Sequence, residues 1–332
     1  MYLFSAASIE FFRELRTPSD VPVRFASKIM HHSCKVLHGD QHKTIFLQRL
    51  PAGPYEVFEH HVICVAPEKE ILPTPLTPSL HLHISMDDNE VDAYVNGREG
   101  VALRPCEVNL FYLEEINIAV LPQGKHWFFH FAFTNDTLFG ILQKKAFRGL
   151  LKKLQKKVKQ VEELMGGMIN EPAQVSMDAY FMMLIHEIRH CSFNELATIF
   201  YREKKCQLML EHFLRQLLYA NELKMELTDQ QIITLDCVKE YIKLNSHRSV
   251  NSRQLSEQFN MSPNFLEKAF RQLNGISIRS FIHMYRMEYA TKLLSIKDMP
   301  VESIARLTGF RNYAALNLAF YKYFGCDTTV FR

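Results

Sequence analysis

Asn264, Glu267, Lys268 and Arg271 fall at spacings that place all four on one side of a helix, and each carries chemistry suited to nucleic acid. An asparagine pairs with an adenine edge, a lysine with guanine or a phosphate, a glutamate with the cytosine amino group, and an arginine with either base or phosphate. The other side of the same stretch, Ser262 to Gly275 (SPNFLEKAFRQLNG), carries Leu266, Ala269, Phe270 and Leu273 at i, i+3, i+4 and i+7. That is the buried stripe of an amphipathic helix. A polar helix face is usually only solvated, so its weight depends on the elements that position it.

Those elements occur twice. Fifty residues on, Asn312 to Gly325 (NYAALNLAFYKYFG) repeats the pattern, with Leu316, Ala319, Phe320 and Tyr323 in the buried places. Ser262 before Pro263 is a helix start, Asn251 with Gln254 caps the preceding helix, and Gly275 and Gly325 are stops. A long helix over 277–295 joins the halves. We read each half as a helix-turn-helix with the quoted stretch as its second helix. In the second copy the four polar positions become Ala314, Asn317, Leu318 and Tyr321, none of them charged. Asn317 stays a candidate for base contact, while Arg271, Arg311 and Asn312 are candidates for the DNA backbone, helped by helix N-terminal amides.

Charge agrees with this placement. Residues 231–332 hold 14 Lys+Arg against 8 Asp+Glu, which leaves 25 against 28 for residues 1–230 out of totals of 39 and 36. A basic end on a near-neutral body fits nucleic-acid binding. Seven scattered cysteines without a C-x-x-C pair suggest a reducing cytosol rather than a disulfide framework or zinc site. No signal peptide or membrane span is expected. A cytoplasmic location follows as the expectation.

Upstream, residues 1–140 read as β structure after a short helix over 8–15, with strands in 43–50, 55–66, 79–85 and 126–133. Turns are expected at 86–89 and at Asn96-Gly97, and 67–79, with four prolines, as a loop. Many short strands imply a barrel or double-sheet jelly roll able to enclose a ligand. Residues 141–224 read as helical, beginning with a segment whose eight basic residues between Lys144 and Lys159 are read as a solvated face. A second helix starts at Met177 and a third after a Ser192/Glu195 capping box. The middle region is a candidate for pairing in a homodimer, and 222–231 for a linker before a domain at 225–332. The fold class expected is α+β multidomain: a β domain, a helical middle and an all-α double helix-turn-helix.

Residues 232–332 resemble the DNA-binding domain of the AraC/XylS family of bacterial transcription regulators. LSEQFNMSPNFLEKAFRQLNG, RMEYATKLL and IARLTGF followed by AFYKYFG carry the likeness. The β-then-helix pattern before it is similar to the cupin-like sensor regions such regulators place ahead of the reader. The resemblance implies promoter DNA and RNA polymerase as partners and a small-molecule effector at the β domain. It also implies recognition helices in successive major grooves about 34 Å apart, with Asn264, Glu267 and Lys268 reading bases. Basic residues are common in the family where Leu318 stands, which points to a first unit that specifies and a second that positions. Cupin-like folds also raise a competing metal enzyme, with His81, His83 and His126 as ligands. No acidic ligand is well placed, and period-2 histidines also suit a strand facing solvent or a polar lumen, so neither cofactor nor catalysis is expected.

Overall fold

Short alternating runs of β-branched and aromatic residues pair antiparallel in the first part of the chain, because each strand buries one or both faces. The structure is a computed structural model. It describes residues 11–15, 20–39, 43–65, 68–72, 79–86, 90–95, 100–113, 117–171, 173–219, 226–248 and 250–332. The strands are β1 (Phe11–Leu15), β2 (Cys34–Gly39), β3 (Lys43–Ala52), β4 (Tyr55–Cys64), β5 (Glu68–Leu72), β6 (Ser79–Ser85), β7 (Val91–Val95), β8 (Gly100–Leu103), β9 (Val108–Leu113), β10 (Asn117–Leu121) and β11 (Gly124–Phe133). After them come α1 (Asn135–Leu142), α2 (Arg148–Glu163), the two-residue β12 (Gly167–Met168), α3 (Ala179–His190) and α4 (Glu195–Tyr219).

Two antiparallel sheets result, one in the order β1-β2-β3-β4-β11-β6-β9-β12 and one in the order β5-β10-β7-β8. Ile45, Val62, Phe111 and Phe128 of the larger sheet pack with Val91, Ala93, Leu103 and Leu121 of the smaller to form a buried core. On the other face of the large sheet, the fully buried carboxylate of Glu59 accepts from Trp127 Nε1 at 2.8 Å and Gln48 Nε2 at 2.9 Å. Arg189 of α3 forms an ion pair with it at 2.8 Å and lies 5.1 Å over the Trp127 ring. This network fixes α3 against the strands, since a buried carboxylate is tolerated only when fully partnered.

Several expectations are corrected. Residues 11–15 form a strand paired with β2 and not the end of a helix; 8–10 lie outside the described residues. Residues 68–72, expected in a loop, pair with β10. The turns at 87–89 and 96–97 and the prolines within 73–78 lie outside the described residues. The helix expected over the basic segment is interrupted, because Lys144 is extended at φ −58 and ψ 138 and buried Phe147 precedes α2. α4 is capped by Asn194, whose Oδ1 accepts from Ala197 N at 2.9 Å, rather than by Ser192.

The chain forms two compact units, Met1–Cys191 with Lys205–Ala220, and Ser192–Lys204 with Asn221–Arg332. Boundaries were expected near 140 and 224, yet α1 to α3 belong with the sheets, so the helical middle is no separate unit. The second unit contains α5 (Asp229–Asn245), α6 (Ser252–Gln258), α7 (Pro263–Asn274), α8 (Ile278–Leu294), α9 (Val301–Leu307) and α10 (Tyr313–Phe324), then a 3₁₀ turn at Thr328–Phe331. α5 starts within the expected linker, where Thr228 and Gln231 form a capping box. Among the described residues no helix is long and apolar enough to cross a membrane.

Candidate nucleic-acid interface

The sequence places α7 with two local devices. Ser262 Oγ accepts from Phe265 N at 3.3 Å, and Pro263 occupies the first helical position, where its missing N–H costs nothing. Gly275 ends the helix at φ 71. Leu266, Ala269 and Phe270 are completely buried, and Phe270 meets Phe281 of α8 edge to face at 5.5 Å. The outer face must therefore present what remains. Asn264, Lys268 and Arg271 are exposed and make no hydrogen bond or ion pair among the described residues. Glu267 is different: it is half-buried and its carboxylate accepts from Ser252 Oγ at the start of α6, which joins the two helices of the unit.

α10 repeats the architecture with other surface chemistry. Asn312 Oδ1 caps it by accepting from Ala315 N at 2.9 Å, and Gly325 ends it at φ 78. Leu316 and Phe320 are fully buried. Asn317 is held inside the unit. Its Oδ1 accepts from Thr328 N at 3.0 Å and Thr328 Oγ1 at 2.8 Å, and its Nδ2 donates to Asp327 Oδ1 at 2.9 Å. The exposed face is left to Ala314, Leu318 (57% exposed) and Tyr321 (55%), with Arg311 exposed at the helix start.

The two halves are held in register by α8 and its neighbours. Arg286 donates through Nε to Ser246 O at 2.7 Å and through Nη2 to Arg248 O at 2.8 Å, and lies 5.9 Å over Phe310. Burial lowers its pKa from the usual arginine range. Gly309 (φ 80) sits against it, and a Cβ there would lie 2.9 Å from both Arg286 Cζ and Ser246 O. Tyr201 of α4 donates to Glu288 of α8 at 2.6 Å. Arg286 is thus a structural arginine.

The histidines expected as metal ligands are distributed otherwise. Strand register puts His83 opposite His130 and His81 opposite Ala132 on one face. His60 joins them, with its ring 5.0 Å from His130, and His81 lies 5.4 Å from His130. His126 stands four residues from His130 along β11, about 13 Å away at strand rise, and its Nε2 is 2.7 Å from Pro122 O. Among the described residues no group of three or more His, Cys, Asp or Glu could hold a metal ion. The pairing that brings in His60 and His130 is set by register, and no sequence spacing announces it. Burial pushes His81 down to about 3, with His83 adding to the shift, and His83 down to about 4. His130 is lowered well below the usual range by burial and by His60, His81 and His83. All three are neutral at physiological pH. His81 Nδ1, His83 Nδ1, Ser85 Oγ and Asn109 Nδ2 are buried without a hydrogen-bond partner.

A family profile described as a helix-turn-helix domain matches residues 255–332. An uncharacterized HTH-type transcriptional regulator of Staphylococcus aureus is 27% identical over 154 residues, 43% of this chain and 20% of its own length. The Msm operon regulatory protein of Streptococcus mutans is 30% identical over 95 residues, 29% of this chain and 34% of its own. The chain thus spans a fifth to a third of these relatives. The C-terminal domain of AraT, a response regulator from Geobacillus stearothermophilus, is 26% identical, covering 30% of this chain and 83% of that one with a TM-score of 0.29.

Proposed function

We propose, from the premise that residues 255–332 form an AraC-type helix-turn-helix domain, that this chain is a sequence-specific DNA-binding transcription regulator. One observation carries the proposal: Asn264, Lys268 and Arg271 stand exposed and uncommitted on the outer face of a capped helix whose inner residues Leu266, Ala269 and Phe270 are fully buried. Asn264 and Lys268 read base edges in the major groove and Arg271 holds phosphate. The second helix pair mainly positions the duplex through Arg311 and the N-terminal end of α10, where Asn312 stands, since Asn317 is occupied within the protein. Selection of duplexes from a random pool by the full chain tests this. A consensus lost on Lys268→Ala supports it, and recovery of no consensus by the wild type overturns it.

The two packed antiparallel sheets support a jelly-roll-like, cupin-like sensor, and the unpartnered polar atoms on the inner face of the larger one support a small-molecule effector there. In this scheme the protein acts in the cytoplasm, as a homodimer, together with RNA polymerase. Isothermal titration of candidate effectors against the wild type and Asn109→Ala separates an effector site from a merely polar core: equal affinity for both proteins removes Asn109 from the site.

A further inference from the structure

The helix α2 is charged in a way that neither its own stability nor solubility explains. The segment 144–163 holds eight basic residues against two acidic, whereas the rest of residues 1–230 holds 17 against 26. The segment therefore carries +6, of which α2 itself holds +4 (six basic residues against two acidic), on a body that is otherwise −9. Solvated helix faces ordinarily mix signs and set Glu and Lys at i,i+4. Here Arg148, Lys152 and Lys156 succeed one another at i,i+4, as do Lys153 and Lys157. The helix also runs against its own dipole, with Arg148 in its first turn and Glu162 and Glu163 in its last.

Little within the protein neutralises this charge. Lys144 pairs with Glu211, and Lys159 lies 4.0 Å from Glu163. Arg148, Lys152, Lys153, Lys156 and Lys157 make no ion pair among the described residues, and all but the half-buried Lys157 are exposed. From Arg148 to Lys159 the basic ridge runs about 16 Å at helical rise. Duplex DNA presents about one phosphate charge per 1.7 Å of axis, so the ridge faces several phosphates at once. A membrane surface is the poorer fit, because Leu150, Leu154, Val158 and Val161 are buried in the protein and leave no apolar face to enter lipid.

We propose that the exposed face of α2 is a second, sequence-independent contact surface for the duplex that the C-terminal unit reads, with its lysines and Arg148 on phosphates. This rests on the DNA-binding function proposed above. The test uses the full chain and a duplex selected by it from a random pool, with affinity measured from about 50 to 200 mM salt. For Lys152→Gln with Lys156→Gln, the slope of log affinity on log salt becomes shallower by about 1 per lysine removed. Affinity falls at every salt concentration, base preference stays that of the wild type, and melting temperature does not drop. A slope and affinity equal to wild type overturn the proposal, as does binding to anionic phosphatidylserine vesicles that the double substitution abolishes while the DNA slope stays fixed. If the wild type selects no sequence at all, the regulator function fails with it, which is a result distinct from an unchanged slope.

Discussion

Glu267 and Asn317 occupy the same position of the two repeated helices, and both are turned to internal use. The Glu267 carboxylate accepts from Ser252 Oγ, and the Asn317 amide is held by Thr328 and Asp327. In each repeat this position ties the outer helix to a neighbouring segment, to the start of α6 in one case and to the C-terminal 3₁₀ turn in the other. The uncommitted polar face of α7 is thus narrower than its helical wheel, and the matching face of α10, with Ala314, Leu318 and Tyr321, carries no charge.

Asn317→Ala is accordingly expected to act on stability. It leaves the N–H of Thr328, which is itself fully buried, without its acceptor, at a cost of about 1–3 kcal/mol. Chemical denaturation of the C-terminal unit should show the loss, with base preference unchanged. An unaltered midpoint together with a relaxed consensus would instead restore Asn317 to base reading.

Lys268→Ala should do the reverse. A lost base contact costs about 1–3 kcal/mol on the selected duplex and relaxes preference at one position, whereas Arg271→Ala weakens all sequences alike and makes the salt slope shallower by about 1. Electrophoretic titrations on matched and single-mismatch duplexes distinguish the two. Uniform weakening by Lys268→Ala would reassign it to phosphate.

What the sequence made legible was local. Ser262, Pro263, Asn251, Asn312 and the closing glycines act within four residues of themselves, so caps and stripes could be placed without the fold. The missed features depend on partners far along the chain. β5 exists because β10 pairs with it, and the prolines that follow masked it. Glu267 and Asn317 looked available because Ser252 and Thr328 are brought to them by tertiary packing. His130 and His60 join His81 and His83 only through strand register, which a one-residue slip would reverse.

Acid should unfold the β-sheet unit through those histidines. Their pKa values are depressed in the folded protein to about 3 for His81 and about 4 for His83, against about 6.5 when unfolded. Between those limits the unfolded chain binds more protons, so stability is complete above about pH 6.5 and falls as pH drops toward 4. Each histidine contributes a slope of about 1.4 kcal/mol per pH unit in that window. Trp127, the single tryptophan, lies in this sheet and reports the transition by fluorescence. His83→Gln should flatten the pH dependence, and a wild-type midpoint independent of pH from 7 to 4.5 would contradict the assignment.

Backbone geometry sets the fourth expectation. Gly309 combines φ 80 with a Cβ position 2.9 Å from Arg286 and from the Ser246 carbonyl. Gly309→Ala pays twice, for the left-handed conformation and for displacing the guanidinium that joins the halves, together about 2–4 kcal/mol. Thermal melts of the full chain should show the loss, and binding to the selected duplex should weaken in parallel at temperatures where folding is marginal. A melt within 0.5 kcal/mol of wild type would mean that Arg286 can move without cost.

The apolar face of α10 makes the sharpest prediction about DNA. Leu318 and Tyr321 stand more than half exposed where the first helix carries Lys268 and Arg271, and the base feature suited to the purely apolar Leu318 in the major groove is the thymine C5 methyl. The half-site under α10 should therefore be selected for thymine at one or two positions rather than for guanine. Replacing those thymines by uracil removes the methyl and nothing else, and should weaken wild-type binding by about 1 kcal/mol, comparable to burying one methyl-sized group. In Leu318→Ala the same replacement should cost almost nothing, since the two changes delete opposite sides of one contact and their effects cannot add. Independent, additive losses would show that Leu318 touches no methyl, and a guanine-rich second half-site would show that this half-site is read by another part of the protein.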